Sequence, residues 1–304
     1  MSTTGPGDET DHDVVIVGGG PAGCSAGVFT ARHGLDVVVF DRGRSSIQRC
    51  AHLENYLGFP TGVDIGTFYE LMHAHAEEAG CEIVPNLVES VERAGEGFVV
   101  EPQEGECVTA ARVVAAARYD GEYLRPLGGD AMFETHEHDG EEHEHFDRSY
   151  AESDGTTPIE GLYVASPSEE SDRQAIIAAG RGGRVGLAVL RDVRHERGHS
   201  EATAERYDWM RRKTELDGEW RDRERWREWL DDELPDDPDV SEERRVELRE
   251  REVDLLFEAY LTDEEIDARA EAGQRALLEH LDDELVLERA REIETNHQPS
   301  EVSP

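Results

Sequence analysis

Three glycines, Gly18, Gly20 and Gly23, form the pattern Gly-x-Gly-x-x-Gly directly after the apolar run 14–17. In this spacing the first glycine permits a tight turn, the second lets the backbone approach a pyrophosphate, and the third lets a helix pack against a strand. The helix that follows offers free N–H groups and the positive end of its dipole. The motif therefore binds an anion with backbone groups and needs no cationic side chain.

The position of Asp41 is a second indication of dinucleotide binding. Residues 24–33 have the composition of a helix, and a second apolar run, 36–40, ends at Asp41. That offset is close to the ~20 residues at which an acid binds a ribose hydroxyl in dinucleotide-binding folds. The glycine pattern alone is a weak signal, but strand, turn, helix, strand and acid occur here in order, which predicts a Rossmann-like domain. The alternative is an α/β domain with a glycine-rich turn and no ligand.

The rest of the N-terminal half predicts the elements of an α/β fold. Apolar residues at helical spacing predict a helix over 65–79, and Gly80 stands where a helix C-cap belongs. The run 111–117 is suited to a buried parallel strand. Three shorter segments complete a parallel sheet with a small antiparallel addition: a strand at 81–84 and two weakly alternating strands at 87–91 and 97–101.

The charge balance is extreme for a chain of 304 residues. Asp and Glu number 71 against 31 Lys and Arg, the net charge is −40, and Lys213 is the only lysine. A chain that repels itself in this way suits a cytoplasm with high salt, where screening removes the repulsion, so we expect halophilic adaptation. An acidic patch for a basic partner is the alternative, but the acids occur in every segment. We expect no nucleic-acid partner.

The absence of certain sequence features indicates where the protein is located and whether its cysteines are paired. No apolar run approaches the ~20 residues that span a bilayer, and residues 1–12 are polar and acidic with no hydrophobic signal-peptide core. We therefore expect cytoplasmic localisation and no membrane partner. The four cysteines, Cys24, Cys50, Cys81 and Cys107, form no Cys-x-x-Cys, which argues against a zinc knuckle and against a redox dithiol within one turn. We treat them as free thiols.

Four segments of the chain resemble one family of flavoproteins. They are the glycine turn 18–23, Glu54-Asn55-Tyr56 with Gly58-Phe59-Pro60, residues 161–165, and Arg173-Gln174-Ala175 with Ala178-Ala179-Gly180. On these residues the chain resembles the low-molecular-weight thioredoxin reductase type, which is built from an FAD domain and an inserted pyridine-nucleotide domain. The resemblance covers roughly residues 12–131 and 158–192 and implies an FAD-dependent oxidoreductase.

The resemblance implies a role for each matching residue. Gly19, Gly20, Pro21 and Ala22, in the turn bounded by Gly18 and Gly23, would face the pyrophosphate of FAD. Asp41, with Arg42 beside it, would meet the adenosine ribose, and Asn55 and Val88 would contact the cofactor. Arg173, Gln174 and Ala175 would face the isoalloxazine, because in the family the helix that they begin points its N-terminus at the flavin.

The departures from the family are as informative as the matches. The family's second Gly-x-Gly-x-x-Gly and its Cys-x-x-Cys lie in the inserted domain, whose place here is taken by residues 127–158, too few for a βαβ unit. The family's Gly-Asp after the strand 162–165 is Ser166-Pro167 here, and residues within 115–118 replace its Ala-Thr-Gly turn. We therefore expect an FAD domain without the NAD(P)H domain, and no working thioredoxin reductase.

A histidine-rich segment stands where that domain is missing. If Asp139-Gly140 makes a two-residue hairpin turn, the period of two in a strand places four imidazoles on one face: His136, His138, His143 and His145. Four imidazoles on one face suit a zinc, nickel or copper ion. The alternative is an acidic solvated hairpin that only closes the gap.

The last third of the chain is predicted to be an acidic helical appendage. One helical face would carry Trp209, Leu216, Trp220, Leu230 and Leu234, and prolines near 235–238 would end it. Ser241 is suited to cap a second helix, and Thr262 with Glu265 forms a capping box for a third. We expect the apolar face to pack against the FAD domain or an identical helix, as in a homodimer.

These observations predict four segments. They are a disordered tail (1–11), an FAD-binding domain (12–131 and 158–196), a histidine-rich hairpin or linker (132–157) and an acidic helical segment (197–304). The expected function is an FAD-dependent oxidoreductase whose electron donor is a small molecule or another protein. The alternatives are a non-catalytic FAD- or nucleotide-binding protein whose helical segment recruits a partner, and a metal-handling protein. Cys50, just before the Glu54-Asn55-Tyr56 segment, is the candidate redox residue.

Overall fold

The structure, a computed structural model, describes residues 10–118, 121–138, 141–166, 174–199, 204, 218–233 and 241–297. The chain divides into two compact units, Met1–Val193 and Arg194–Pro304. Residues 1–9 of the expected tail lie outside the described residues. Asp11 is described, and its backbone N–H donates to Thr109 Oγ1 at 2.9 Å, so the described chain is already anchored one residue before the first strand.

The N-terminal unit is built on a mostly parallel sheet. Its strands are β1 (His12–Val17), β2 (Val37–Phe40), β3 (Cys81–Val84), β4 (Val88–Ala94), β5 (Gly97–Pro102), β6 (Val108–Ala115) and β9 (Leu162–Val164). They run in the order β3-β2-β1-β6-β5-β4, and β9 pairs with the second half of β6. The pairs β1–β2, β2–β3, β1–β6 and β6–β9 are parallel, whereas β4–β5 and β5–β6 are antiparallel. The predicted fold class is therefore confirmed.

The parallel strands form where the sequence has continuous apolar runs. Val14, Val15 and Ile16 are fully buried, as expected for strands that are covered on both faces. The helices of this unit are α1 (Pro21–Ala31), α2 (Ile65–Glu78), the short α3 (Arg125–Gly128) and α4 (Ala175–Glu196), which continues past the unit boundary at Val193. Asp64 caps α2 by accepting the backbone N–H of Thr67, and Gly80 follows its C-terminus with φ +109°.

Glycines allow α4 to lie directly against α1. A Cβ at Gly182 would overlap the carbonyl oxygen of Ala22, and one at Gly186 would come within 3.1 Å of the carbonyl oxygen of Ala26. Gly182 and Gly186 therefore allow the two helices to pack closely. This packing places Gly182 of α4 against the first turn of α1.

The histidine-rich segment is a separate two-stranded antiparallel sheet of β7 (Phe133–His138) and β8 (Glu141–Phe146). The expected turn residues, Asp139 and Gly140, lie outside the described residues. The base of the hairpin is anchored in the core of the N-terminal unit, because Met132 and Phe146 are buried there.

The C-terminal unit is helical in its described parts, with α5 (Arg223–Glu233), α6 (Glu242–Glu258), α7 (Asp263–Leu278) and α8 (Asp283–His297). Ser241 caps α6, and both hydrogen bonds of the predicted Thr262–Glu265 capping box are present. Among the described residues, no helix is long and apolar enough to cross a membrane.

The predicted single helical face of the appendage is wrong. Gly218 has φ +54°, residues Gly218–Arg221 form a 3-10 turn, and Asp222 accepts the backbone N–H of Glu224 at the start of α5. A new helix therefore begins at Arg223, so Trp220 and Leu230 do not share one helix. Leu230 is buried, whereas Trp209, Leu216 and Leu234 lie outside the described residues.

Candidate functional site

The glycine turn lies at the carboxyl end of β1, where β2 and β6 also end. The N–H of Gly18 donates to the Phe40 carbonyl at 2.8 Å, and the Val17 carbonyl accepts the N–H of Ala116 at 2.9 Å. Gly18 has φ +116°, and a Cβ there would stand 2.8 Å from the carbonyl carbon of Ala116. Ligands of open α/β sheets bind at this edge, beyond the carboxyl ends of the strands.

Each glycine of the motif meets a different steric demand. A Cβ at Gly23 would overlap the Gly18 carbonyl oxygen, so this glycine permits the close approach of helix and strand. A Cβ at Gly20 would meet only the side chain of Ser45, 2.8 Å from its Oγ. Pro21 occupies the start of α1, whose first turn carries no acidic side chain. The turn therefore presents an electropositive helix N-terminus.

A cavity of about 760 Å³ opens beside this turn. Of the residues predicted to bind the cofactor, the following line it: Gly18, Gly19, Gly20, Pro21, Ala22, Asp41, Arg42, Asn55, Val88, Gln174 and Ala175. Gly23 lies behind the lining, against the Gly18 carbonyl. Arg173 lies outside the described residues. One cavity thus brings together segments that are far apart in the sequence.

Asp41 is buried and is held by α2. Its carboxylate accepts the hydroxyl hydrogen of Tyr69 and the N–H of Gly43 at 3.1 Å, and it lies 3.4 Å from His73 Nε2. His73 Nε2 is also 3.0 Å from the Gly19 carbonyl oxygen. Burial, then the adjacent Asp41 carboxylate, raises the pKa of Tyr69 above its ordinary value, so the phenol remains a donor. Groups of the protein therefore already hold the Asp41 carboxylate in one position.

Tyr69 and His73 were not predicted as site residues. They stand four residues apart on α2, which places them on one helical face, and their ring centroids are 4.4 Å apart. Their spacing of four residues showed in the sequence that they share one helical face. The sequence did not show that this face meets Asp41 at the end of β2, because that contact depends on how the helix packs on the sheet.

The opposite wall joins the loop at 54–60 to the start of α4. Asn55 Nδ2 donates to Gln174 Oε1 at 2.7 Å. Behind it, Tyr56 packs on Phe68 with ring centroids 4.8 Å apart, and Phe59 stands edge-on to Phe68 at 6.0 Å. Two of the four segments that carry the family resemblance therefore contact each other at the cavity, and an aromatic cluster supports them.

Three guanidinium groups and four carboxylates line the cavity. Arg42, Arg44 and Arg118 line it, and Arg118 Nη1 donates to Ser46 Oγ at 3.1 Å. Arg44 and Arg118 were not predicted. Acidic residues also line the cavity, but Glu122 is paired with Arg125 at 2.7 Å, and this partner lowers its pKa.

The cysteines differ in their access to the cavity. Cys50 is an exposed free thiol that lines the cavity. Cys24 is buried, and its Sγ donates to the Gly19 carbonyl at 3.3 Å; burial and then Asp41 raise its pKa to about 12. At neutral pH Cys24 is therefore a thiol that supports the turn, whereas Cys50 is accessible from the cavity.

The hairpin has the predicted register. His136 pairs with His143, His138 pairs with Glu141, and Glu134 pairs with His145. The four histidine positions therefore share one face of the ribbon, although the side chain of His138 lies outside the description. Among the side chains that the structure describes, no group of three or more His, Cys, Asp or Glu already converges as a metal site.

Comparison with known proteins agrees with this geometry. Residues 12–140 match the model of the pyridine nucleotide-disulphide oxidoreductase family. The chain is 34% identical over 131 residues to a bifunctional thioredoxin reductase/thioredoxin of Mycobacterium leprae, covering 42% of this chain and 28% of that protein. It is 32% identical over 120 residues to a thioredoxin reductase of Streptomyces coelicolor, covering 38% of this chain and 36% of that protein. The chain thus spans about a third or less of these curated relatives.

Solved structures support the fold. A thioredoxin reductase from Gloeobacter violaceus aligns with a TM-score of 0.50 at 18% identity, covering 66% of this chain and 99% of that one. An oxidoreductase from Agrobacterium tumefaciens aligns with a TM-score of 0.51 at 13% identity, covering 60% and 99%. At these identities the likeness shows the Rossmann-like fold alone. The sequence matches add that the N-terminal unit is similar to oxidoreductases of this family.

Proposed function

We propose that this chain binds FAD in the cavity of its N-terminal unit and acts as an FAD-dependent oxidoreductase. The observation that carries the proposal is the glycine turn, which opens into the cavity at the carboxyl ends of β1, β2 and β6. The similarity of residues 12–140 to the pyridine nucleotide-disulphide oxidoreductases supports it.

The residues present fit this cofactor. A volume of about 760 Å³ is that of a small-molecule or cofactor site. The turn is a cradle that side chains at Gly18 or Gly23 would destroy. Two helix starts line the same cavity, those of α1 and α4, and each offers backbone N–H groups to anionic or electron-rich atoms. When bound, FAD supplies reversible two-electron transfer.

Each part of the cavity has a task in this proposal. The backbone N–H groups of Gly19, Gly20 and Ala22 bind the pyrophosphate, with Arg42 and Arg44 adding positive charge. Asp41 accepts a ribose hydroxyl with an oxygen lone pair that Tyr69 and Gly43 leave available. The hydrogen-bonded pair Asn55–Gln174 forms the opposite wall.

The electron donor in this proposal comes from outside the chain. Residues 127–158 stand where the family carries its pyridine-nucleotide domain, and their described part holds a hairpin and short helical turns. The donor is therefore a small molecule or another protein that reaches the cavity directly. Cys50 is the candidate redox partner of the cofactor, since it is the cysteine whose thiol lines the cavity in the described structure.

The visible spectrum of the purified full chain tests the proposal. In molar KCl, the salt that halophilic adaptation would require, we expect a flavin spectrum as purified or after incubation with FAD. A protein that stays colourless after incubation and gel filtration, while its circular dichroism shows it folded, overturns the proposal.

A non-catalytic nucleotide-binding protein that recruits a partner is the second candidate. Exposed leucines on and between α7 and α8 favour it, because each is about half exposed or more: Leu277, Leu278, Leu281, Leu285 and Leu287. Stopped-flow measurement of flavin reduction by NADH, NADPH or dithionite distinguishes the oxidoreductase from the non-catalytic protein. Bound FAD that is reduced by dithionite but then passes no electrons to ferricyanide or a quinone favours the non-catalytic protein.

A further inference from the structure

The hairpin of β7 and β8 separates its residues by chemistry onto two faces. One face carries Phe133, Thr135 and Glu137 opposite Phe146, Glu144 and Glu142. The other carries Glu134 and His136 opposite His145 and His143. His138 and Glu141 are paired at the tip of the same face. All four histidine positions of the hairpin therefore lie on one face, together with Glu134 and Glu141.

The first face accounts for the attachment of the hairpin. Phe133 and Phe146 meet edge to face with ring centroids 6.0 Å apart. Arg125 lies 3.9 Å from the centroid of the Phe133 ring and also pairs with Glu144. The hairpin is thus anchored by aromatic, cation–π and ionic contacts that use none of the histidines.

Surface charge does not explain the second face. The chain carries 71 Asp and Glu, and an exposed strand that served only solubility would continue that composition. Here four of the six positions are histidines, and His136, His143 and His145 are exposed. A ligand-binding task accounts for this choice of residues.

The spacing of the second face suits one metal ion. Directly opposed residues in an antiparallel pair have Cβ atoms about 4.5–5.5 Å apart, and diagonal neighbours remain within side-chain reach. His136 Nε2 lies 2.9 Å from Glu134 Oε1, and the rings of His136 and His145 have centroids 6.0 Å apart. The His136 side chain is 58% exposed and that of Glu134 is 43% exposed, so both have room to rotate toward a shared ion.

We propose that Glu134, His136, His143 and His145 bind one divalent ion of the nickel, copper and zinc group. Imidazole nitrogens favour these late transition metals, whereas magnesium and calcium prefer sites made of oxygen ligands. Three imidazoles and one carboxylate complete a four-coordinate zinc site. The site is built on the hairpin alone and does not depend on FAD.

Titration of the full chain, prepared without a polyhistidine tag, tests the proposal. We measure ZnSO₄ binding by isothermal calorimetry in KCl with excess Mg²⁺, which occupies the acidic surface. One strong site per chain is expected, and the double variant His143→Gln/His145→Gln should weaken it by about tenfold or more, because outer-shell losses alone cost that much. The controls are His280→Gln, which removes an imidazole from the C-terminal unit, and Glu142→Gln, which removes a carboxylate from the opposite face.

Two further measurements show whether a loss of zinc binding comes from the metal site itself and not from misfolding or from the loss of flavin. Circular dichroism should be unchanged in the double variant, since both residues are exposed. The Cu²⁺ electron paramagnetic resonance spectrum of the wild type should show nitrogen superhyperfine splitting that the double variant loses. Equal zinc affinity in the wild type and the double variant, or a copper spectrum with oxygen ligands only, overturns the proposal, whatever the FAD content of the protein.

Discussion

Replacing Gly20 by valine should separate cofactor binding from folding. Gly20 has φ −85° and ψ −171°, an extended conformation that any residue adopts. Within the protein its added Cβ would meet only Ser45, whose Oγ at 2.8 Å is the end of a side chain that can rotate away. The free energy of unfolding should therefore fall by no more than about 1 kcal/mol.

The loss of FAD affinity should be much larger. The valine methyl groups would stand in front of backbone N–H groups that bind the pyrophosphate in our proposal. Two hydrogen bonds to a charged group contribute about 3–6 kcal/mol together, which corresponds to about a hundredfold to a ten-thousandfold in the dissociation constant. Quenching of FAD fluorescence measures the affinity, and urea unfolding measures the stability.

Two matched variants sharpen this experiment. Gly18→Ala should damage both properties, because Gly18 has φ +116° and its Cβ would press on the backbone of Ala116. Gly20→Val/Ser45→Gly removes the one internal clash and should restore stability without restoring affinity. A stable Gly20→Val protein that binds FAD within about threefold of the wild type would refute the placement of the pyrophosphate.

Three further results are expected. Asp41→Ala should weaken FAD binding by only about 1–3 kcal/mol in the same titration, because a single ribose contact is lost; a loss equal to that of Gly20→Val contradicts this. His199 has a pKa lowered to about 3 by burial and then by Arg194, so the unfolded chain binds a proton below about pH 6.5 that the folded chain excludes. Stability should fall as the pH falls from 7 to 5, by up to about 1.4 kcal/mol per unit, and His199→Gln should reduce that slope in urea titrations. NADPH should not reduce a disulfide protein through this chain alone, because the sequence has no Cys-x-x-Cys; NADPH oxidation that depends on an added disulfide protein contradicts this.

The predictions were most accurate for features that depend only on residues close together in the sequence. The strand Cys81–Val84 has the predicted bounds, and the caps at Ser241 and Thr262 form as expected, because propensity and capping act over a few residues. The glycine turn was predicted for the same reason, since its steric demands are set within 18–23 and by the strand end beside it.

Contacts between distant segments were not predictable in the same way. The sequence predicted that Asp41 would contact a ribose, but it did not predict that Tyr69 and His73 from α2 contact the same carboxylate. Nothing in the sequence states which helix face meets which strand end. The error near Trp220 has a local cause: apolar spacing suggested one continuous helix, but Gly218 with φ +54° interrupts it.

The distribution of the cysteines provides a chemical probe of cavity occupancy. Cys24 and Cys81 are buried with pKa values raised to about 12, so an alkylating reagent at pH 8 reacts with neither in the folded protein. Cys50 and Cys107 are exposed, but only Cys50 lines the cavity. Added FAD should protect Cys50 from maleimide, while Cys107, between β5 and β6, serves as an internal standard. The ratio of the two modified peptides in a mass spectrum then reports ligand occupancy without a mutation, a dye or an assay of turnover.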